Sequence, residues 1–146
     1  ITTATNRLAY LCNTIPQLLR QIDEQTFSVK PAPDKWSKKE IIGHLVDSAA
    51  NNHHRFVRGQ FEDSPTIFYD QDKWNACSYY QQMTGEKIVE FWTAYNKHLI
   101  ELIRLIPEEH LQKTCTMRDG TQHTLAFLIN DYVDHMEHHL RQVVSY

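Results

Sequence analysis

The sequence predicts an all-α protein, a four-helix bundle, on three observations. Glycine and proline are scarce, four and five in 146 residues, which suits long helices better than a sheet. Apolar residues recur at three- and four-residue steps in four long stretches, the period of a helix with one buried face. Most prolines fall between those stretches: Pro31 and Pro33 in one connection, Pro65 in a second, Pro107 at the close of a helical run. At this length a single domain over residues 1–146 is expected, large enough to bury a core without disulfides.

The first helix is expected from Thr3 to Thr26, with Leu8, Leu11, Ile15, Leu18, Leu19 and Ile22 on its apolar side and a kink or break at Pro16. The second begins at Ser37, which with Glu40 forms a capping box. It runs through Ile41, Leu45, Ser48 and Asn52 towards Arg58. A long aromatic connection follows, "GQFEDSPTIFYDQDKWNACSYYQQM". Phe61, Phe68, Tyr69, Trp74, Tyr79 and Tyr80 are expected to cover an opening on the domain. The third helix spans Thr84 to Ile106, with Ile88, Phe91, Trp92, Tyr95, Leu99, Leu102, Ile103 and Ile106 facing inward. "KTCTMRDGTQHTL" alternates around Asp119-Gly120, a signal for a short hairpin. The fourth helix runs from Thr124 to about Val144.

Composition excludes several roles. The net charge is −3 with no lysine-arginine block, so no nucleic-acid partner is expected. No apolar run approaches the ~20 residues of a membrane-spanning helix, so no membrane partner is expected. The first residues show no basic leader before an apolar run, so no signal peptide is expected. Cys12, Cys77 and Cys115 form no CxxC pair and read as reduced, mostly buried thiols of a cytoplasmic protein. There is no GxSxG, no phosphate-binding loop and no dinucleotide fingerprint. "HMEHH" is not HExxH, and the ExxH pattern of di-iron bundles is absent.

The last helix carries "DYVDHMEHHLRQV", residues 131–143, with three histidines in five positions. His135 and His139 stand at i, i+4, one above the other on one helical face, so both can reach one ion. The stripe Leu128, Tyr132, His135, His139, Gln142 lies beside Ile129, Val133, Met136, Leu140, Val143, and the two make one inward face. His138 falls with Asp131 and Asp134 towards solvent. Imidazoles at the edge of a core need partners. A metal is one, and hydrogen bonds to carboxylates or water are another. Of the other histidines, His53 and His54 are adjacent, His98 is isolated, and His110 and His123 lie in or beside loops. His44 sits one turn past the capping box on the inward side of the second helix. Asp47, three residues on, is placed to act as a supporting acceptor, as a fourth oxygen ligand, or as a solvent-facing carboxylate.

"KWSKKEIIGHLVDSAANNHHRF", "YDQDKW" and "HMEHHLRQ", in this order over nearly the whole chain, resemble the DinB-like superfamily. The closer resemblance is to its YfiT-like branch of candidate metal-dependent hydrolases and bacillithiol transferases. The resemblance implies an up-down-down-up bundle and a divalent metal, nickel or zinc, held by His44, His135 and His139, the three that spacing and facing bring out. A cation on three neutral imidazoles keeps its full charge and so leaves two reaction classes, a small thiol activated for S-transfer or a water activated for hydrolysis, and the resemblance mildly favours the first.

Either class needs a cavity beside the metal. Tyr69 and Trp74 in the long connection and Asn51 or Arg55 on the second helix are its candidate walls, with Asp47 and Arg55 as candidate catalytic residues. Arg55 matches a carboxylate on a thiol bidentately or makes an ordinary surface ion pair. Gln142 hydrogen-bonds a ligand or fills the end of the bundle. Trp36, Trp74 and Trp92 read as packing rather than cofactor contacts. The expected partners are a small-molecule thiol or other small substrate and a second copy in a homodimer. The competing readings are a ligand-binding module and a stress-response dimer with a vestigial metal site.

Overall fold

The computed structural model describes residues 1–146. Its elements are α1 (Thr2–Arg20), α2 (Glu24–Phe27), α3 (Lys38–Arg58), α4 (Gln71–Ala76), α5 (Gly85–Leu105), β1 (Thr114–Thr116), β2 (Gln122–Thr124) and α6 (Leu125–Leu140). Single 3-10 turns lie at Tyr80–Gln82 and Glu108–His110. The four long helices α1, α3, α5 and α6 form the bundle around one hydrophobic core.

Contacts between named residues give the helix directions. The end of α1 meets the start of α5, where Arg20 Nε lies 3.2 Å from Glu86, so α1 and α5 are antiparallel. Lys39 bonds the Met83 carbonyl just before α5 at 2.8 Å, and further along His53 bonds the Tyr95 hydroxyl at 2.9 Å. Hence α3 and α5 run parallel. His44 faces His135 and His139, while Gly59, just past α3, abuts Leu125 at the start of α6, so α3 and α6 are antiparallel. The result is up-down-down-up.

That topology explains the long connection. The 21 residues of α3 rise about 31 Å at 1.5 Å per residue, and a parallel successor can start only after the chain has travelled back. Residues 59–84 make the return as a strap along α3. Its lower part is tied by Thr116 N–H to the Pro65 carbonyl (2.9 Å). Arg55 follows, with Nη2 donating to the Ile67 carbonyl (2.7 Å). Higher up, Asn75 Nδ2 donates to the Glu40 carbonyl (3.0 Å) and the Ser37 hydroxyl to Gln81 Oε1 (2.6 Å). Polar bolts hold this segment more than its aromatic rings do. Phe61, Phe68, Trp74 and Tyr79 are exposed, and only Tyr80 among the six aromatics is buried.

Two helix boundaries differ from the sequence expectation. The first helix stops at Arg20 instead of Thr26, because the Asp23 carboxylate accepts from Thr26 N–H (2.8 Å) and caps a separate short helix. Within α1 there is no break at Pro16. The last helix ends at Leu140 instead of Val144, and single turns carry Val143 inward. Phe91, expected inside, is exposed. The hairpin forms as expected, β1 pairing β2 antiparallel, and Gly120 supplies the positive φ (86°) its turn requires. All three cysteines are free, and Cys77 is exposed rather than buried. No helix is long and apolar enough to cross a membrane.

Candidate metal centre

The capping box places the first ligand. Ser37 Oγ accepts from Glu40 N–H (3.1 Å), and Glu40 Oε1 accepts from Ser37 N–H (3.0 Å). This reciprocal pair fixes the start of α3 and puts His44 two turns in, on the buried side. On α6, the Thr124 hydroxyl caps the helix at Phe127 N–H (3.1 Å). Arg7 of α1 then grips Glu137 bidentately, at 2.6 Å for the shortest pair. Glu137 lies between His135 and His139, so this ion pair pins the histidine turn to the bundle.

His44, His135 and His139 each present one ring nitrogen, all within 4.8 Å of one another. His44 Nε2 and His135 Nε2 are 3.4 Å apart. The ring centroids are separated by 5.2, 4.8 and 4.6 Å, each pair edge-on at 73–76°. His139 Nδ1–H donates to Gln142 Oε1 at 3.1 Å, which leaves its Nε2 as a bare lone pair. His138 is exposed, with Asp131 and Asp134, as expected.

Burial, with the neighbouring imidazoles next in weight, holds the His44 ring at a pKa of about 3 and the His135 ring at about 4. Burial also lowers His139, opposed by its bond to Gln142. At neutral pH the three rings are therefore uncharged, with lone pairs converging and no carboxylate among them. His44 Nδ1 is buried without a hydrogen-bond partner. Three converging imidazole donors suit a divalent transition-metal cation, and the residues present fit that group.

Asp47 is buried, not solvent-facing, and stands outside the three-histidine cluster. Its Oδ1 accepts from the Tyr80 hydroxyl, and its Oδ2 has no partner. Burial pushes its carboxyl up to about 6, held back by the Tyr80 hydroxyl and the Trp74 indole. Asn51 is buried and donates to the Asp47 carbonyl (2.9 Å). It also lines a cavity of about 240 Å³ with Trp74, Phe68, Ile67 and Arg58. Tyr69 meets Trp74 edge-on at 5.4 Å. Burial and the Asp47 carboxylate push the Tyr69 hydroxyl up to about 12, and Arg55 pulls it back. Arg55 is not in a surface ion pair. Its Nε and Nη2 donate to the Ile67 carbonyl and its Nη1 to Asn52 Oδ1 (3.1 Å), which braces the strap. Gln142 acts on His139 and is itself exposed.

Three residues around the centre are not marked by the sequence as parts of a site. The Trp36 ring lies 4.8 Å from that of His44. Tyr80 holds Asp47, and Glu137 anchors the histidine turn. A glutamate between two histidines on a helix is the one signal the sequence carries for them, and its partner Arg7 lies 130 residues away.

A bundle with two parallel neighbours and a three-imidazole centre defines the class, and residues 9–143 match the DinB superfamily. The chain belongs to that superfamily. Proteins of Bacillus cereus and Bacillus anthracis whose names class them as candidate metal-dependent hydrolases are 25% identical over 136 residues, covering 92% of this chain and 78% of theirs. YfiT from Bacillus subtilis, described as a metal-dependent hydrolase candidate with an unusual four-helix bundle topology, superposes with a TM-score of 0.81 at 19% identity. That match covers 95% of this chain and 83% of YfiT. A mycothiol-dependent maleylpyruvate isomerase has the same fold, with a TM-score of 0.81 at 9% identity over 99% of this chain and 61% of the isomerase.

Proposed function

We propose that this protein is a metal-dependent enzyme that holds a nickel or zinc ion on His44, His135 and His139 and activates a small thiol for transfer to an electrophile. The observation that carries this reading is the convergence of three uncharged imidazoles within 4.8 Å, with no carboxylate to offset a cation's charge. Bound there, the cation supplies Lewis-acid charge that lowers the pKa of a thiol or water.

The chain's own residues do the rest. Gln142 fixes the His139 tautomer. Asp47 exchanges the proton. Tyr69, Trp74 and Asn51 wall the approach and exclude water. Arg55 keeps two guanidinium N–H groups beyond those bonded to Ile67 and Asn52, and these bind a substrate carboxylate. A homodimer, a cytoplasmic location and a small-molecule partner belong to the same proposal.

Hydrolysis is the second reading, favoured by the names of the Bacillus relatives. Metal-loaded protein should consume a small thiol in the presence of an alkylating electrophile, saturably, and His44→Ala should abolish this. Ester cleavage that needs no thiol would transfer the reading to hydrolysis. Neither activity in loaded protein would reject an enzyme and leave a ligand-binding bundle.

A further inference from the structure

Tyr80 joins the strap to the metal centre by a route that needs three separate local features. Tyr79 adopts a left-handed backbone (φ 59°, ψ 37°), a conformation that non-glycine residues rarely hold without a compensating contact. It turns Tyr80 into the protein while Tyr79 itself stays exposed. The Tyr80 ring then lies against the backbone of Gly43, the residue before His44. A Cβ at position 43 would fall 2.2 Å from Tyr80 Cδ2, so only glycine admits the ring. The hydroxyl so placed donates to Asp47 Oδ1. The other carboxylate oxygen, Oδ2, is buried with no donor at hydrogen-bond distance, the Trp74 indole being the other polar group that acts on this carboxyl. A buried carboxylate oxygen without a partner is unfavourable. Here the same carboxylate lies one helical turn from His44.

We infer that Tyr80 is a positioning residue: by holding Oδ1 it leaves Oδ2 of Asp47 as the acceptor for the proton of a thiol bound at the histidine triad. This rests on the thiol reading above. In the step the S–H bond breaks, its electron pair stays on sulfur, and an O–H bond forms at Oδ2. The proton is then available to the leaving group of the electrophile. Strain at Tyr79, clearance at Gly43 and the unpartnered Oδ2 are independent observations, and one role accounts for all three.

The test uses cobalt(II) as probe metal, whose d–d absorption reports loading, and two probe ligands at neutral pH. 2-Mercaptoethanol must lose a proton to bind as thiolate, and thiocyanate has none to lose. Tyr80→Phe keeps the ring against Gly43 and removes only the hydroxyl. It should weaken mercaptoethanol roughly tenfold, the size expected for loss of a supporting hydrogen bond at a metal site, with thiocyanate within about twofold. Asp47→Asn should shift the same ratio further. A change of equal size for both ligands, or for neither, in loaded Tyr80→Phe overturns the inference and leaves the metal reading standing. A wild-type protein that shows no cobalt bands rejects the metal reading itself. Tyr80→Leu, a second hydroxyl-free side chain, replaces Tyr80→Phe should that variant melt below the assay temperature.

Discussion

One pair of helices, α3 and α6, makes two different interfaces. At the hairpin end Phe56 meets Tyr132 edge-on at 5.9 Å, beside fully buried Leu125 and Ile129. The side chains of Tyr132 and Asn96 are paired there: the Tyr132 hydroxyl donates to Asn96 Oδ1 (2.6 Å), and Asn96 Nδ2 donates to the Trp92 carbonyl (2.9 Å), while the Trp92 indole Nε1 is buried without a partner. At the other end three imidazoles converge, and His44 Nδ1 and Asp47 Oδ2 lack partners. The first end lowers the free energy of the fold through burial. The second keeps unsatisfied polar groups in the interior, which a stable core alone would not select. The close-packed core and the candidate metal centre lie at opposite ends of a single helix pair.

Breaking the dry end should have the largest effect. Phe56→Ala removes a fully buried ring and should cost about 3–5 kcal/mol in urea unfolding, with metal affinity largely kept in the folded fraction. The histidine end should gain most from its ligand. Nickel or zinc at a hundred times its Kd should stabilise the fold by about 2.7 kcal/mol, seen as a rise in Tm. His44→Leu should remove that rise while leaving the metal-free protein as stable as wild type or more so, since a buried unpartnered nitrogen goes with it.

Acid sharpens the contrast. The folded-state pKa values of His44 (about 3) and His135 (about 4) lie below the unfolded value of 6.5. Their stability is complete above pH 6.5 and lost as pH falls towards 4. Asp47 runs the other way. Its folded pKa of about 6 exceeds 3.8, so its contribution is present below pH 3.8 and lost as pH rises through 6. Near pH 5 the unfolded chain binds two more protons at the imidazoles and one fewer at Asp47. From these three groups the net is one proton, about 1.4 kcal/mol of stability lost per pH unit of acidification, and His139, lowered in the same direction, adds to it. Metal-free His44→Leu should lose about one proton's worth of this slope near pH 5.

A finer effect concerns the ligand's support. Gln142→Ala removes the acceptor at His139 Nδ1 and should weaken metal binding about tenfold, with unfolding free energy little changed because Gln142 is exposed. Calorimetric titration with zinc checks this.

Much of this division is legible in the amino-acid sequence. Ser37 and Glu40 announce the start of α3, and the helical period then dictates that His44 faces inward with His135 and His139. Those are local rules acting within one helix. What is not legible depends on long-range contact or on chain without a period. Tyr80 lies in the strap, where no repeat distinguishes an inward ring from its exposed neighbour Tyr79. The bidentate grip on Glu137 comes from Arg7, far away in the chain, and the strap contact of Arg55 from the Ile67 carbonyl. The apolar period overruns the end of α1 because Ile22 continues it, while the Asp23 cap has already started another helix.

On this account the histidine end of the α3–α6 pair is a metal centre. Its most direct test is elemental mass spectrometry of freshly purified protein beside a His135→Ala, His139→Ala double variant. A three-imidazole centre predicts about one divalent ion per chain in the wild type and none in the variant. No ion in either protein, even after incubation with nickel or zinc, would contradict it and make the three histidines structural.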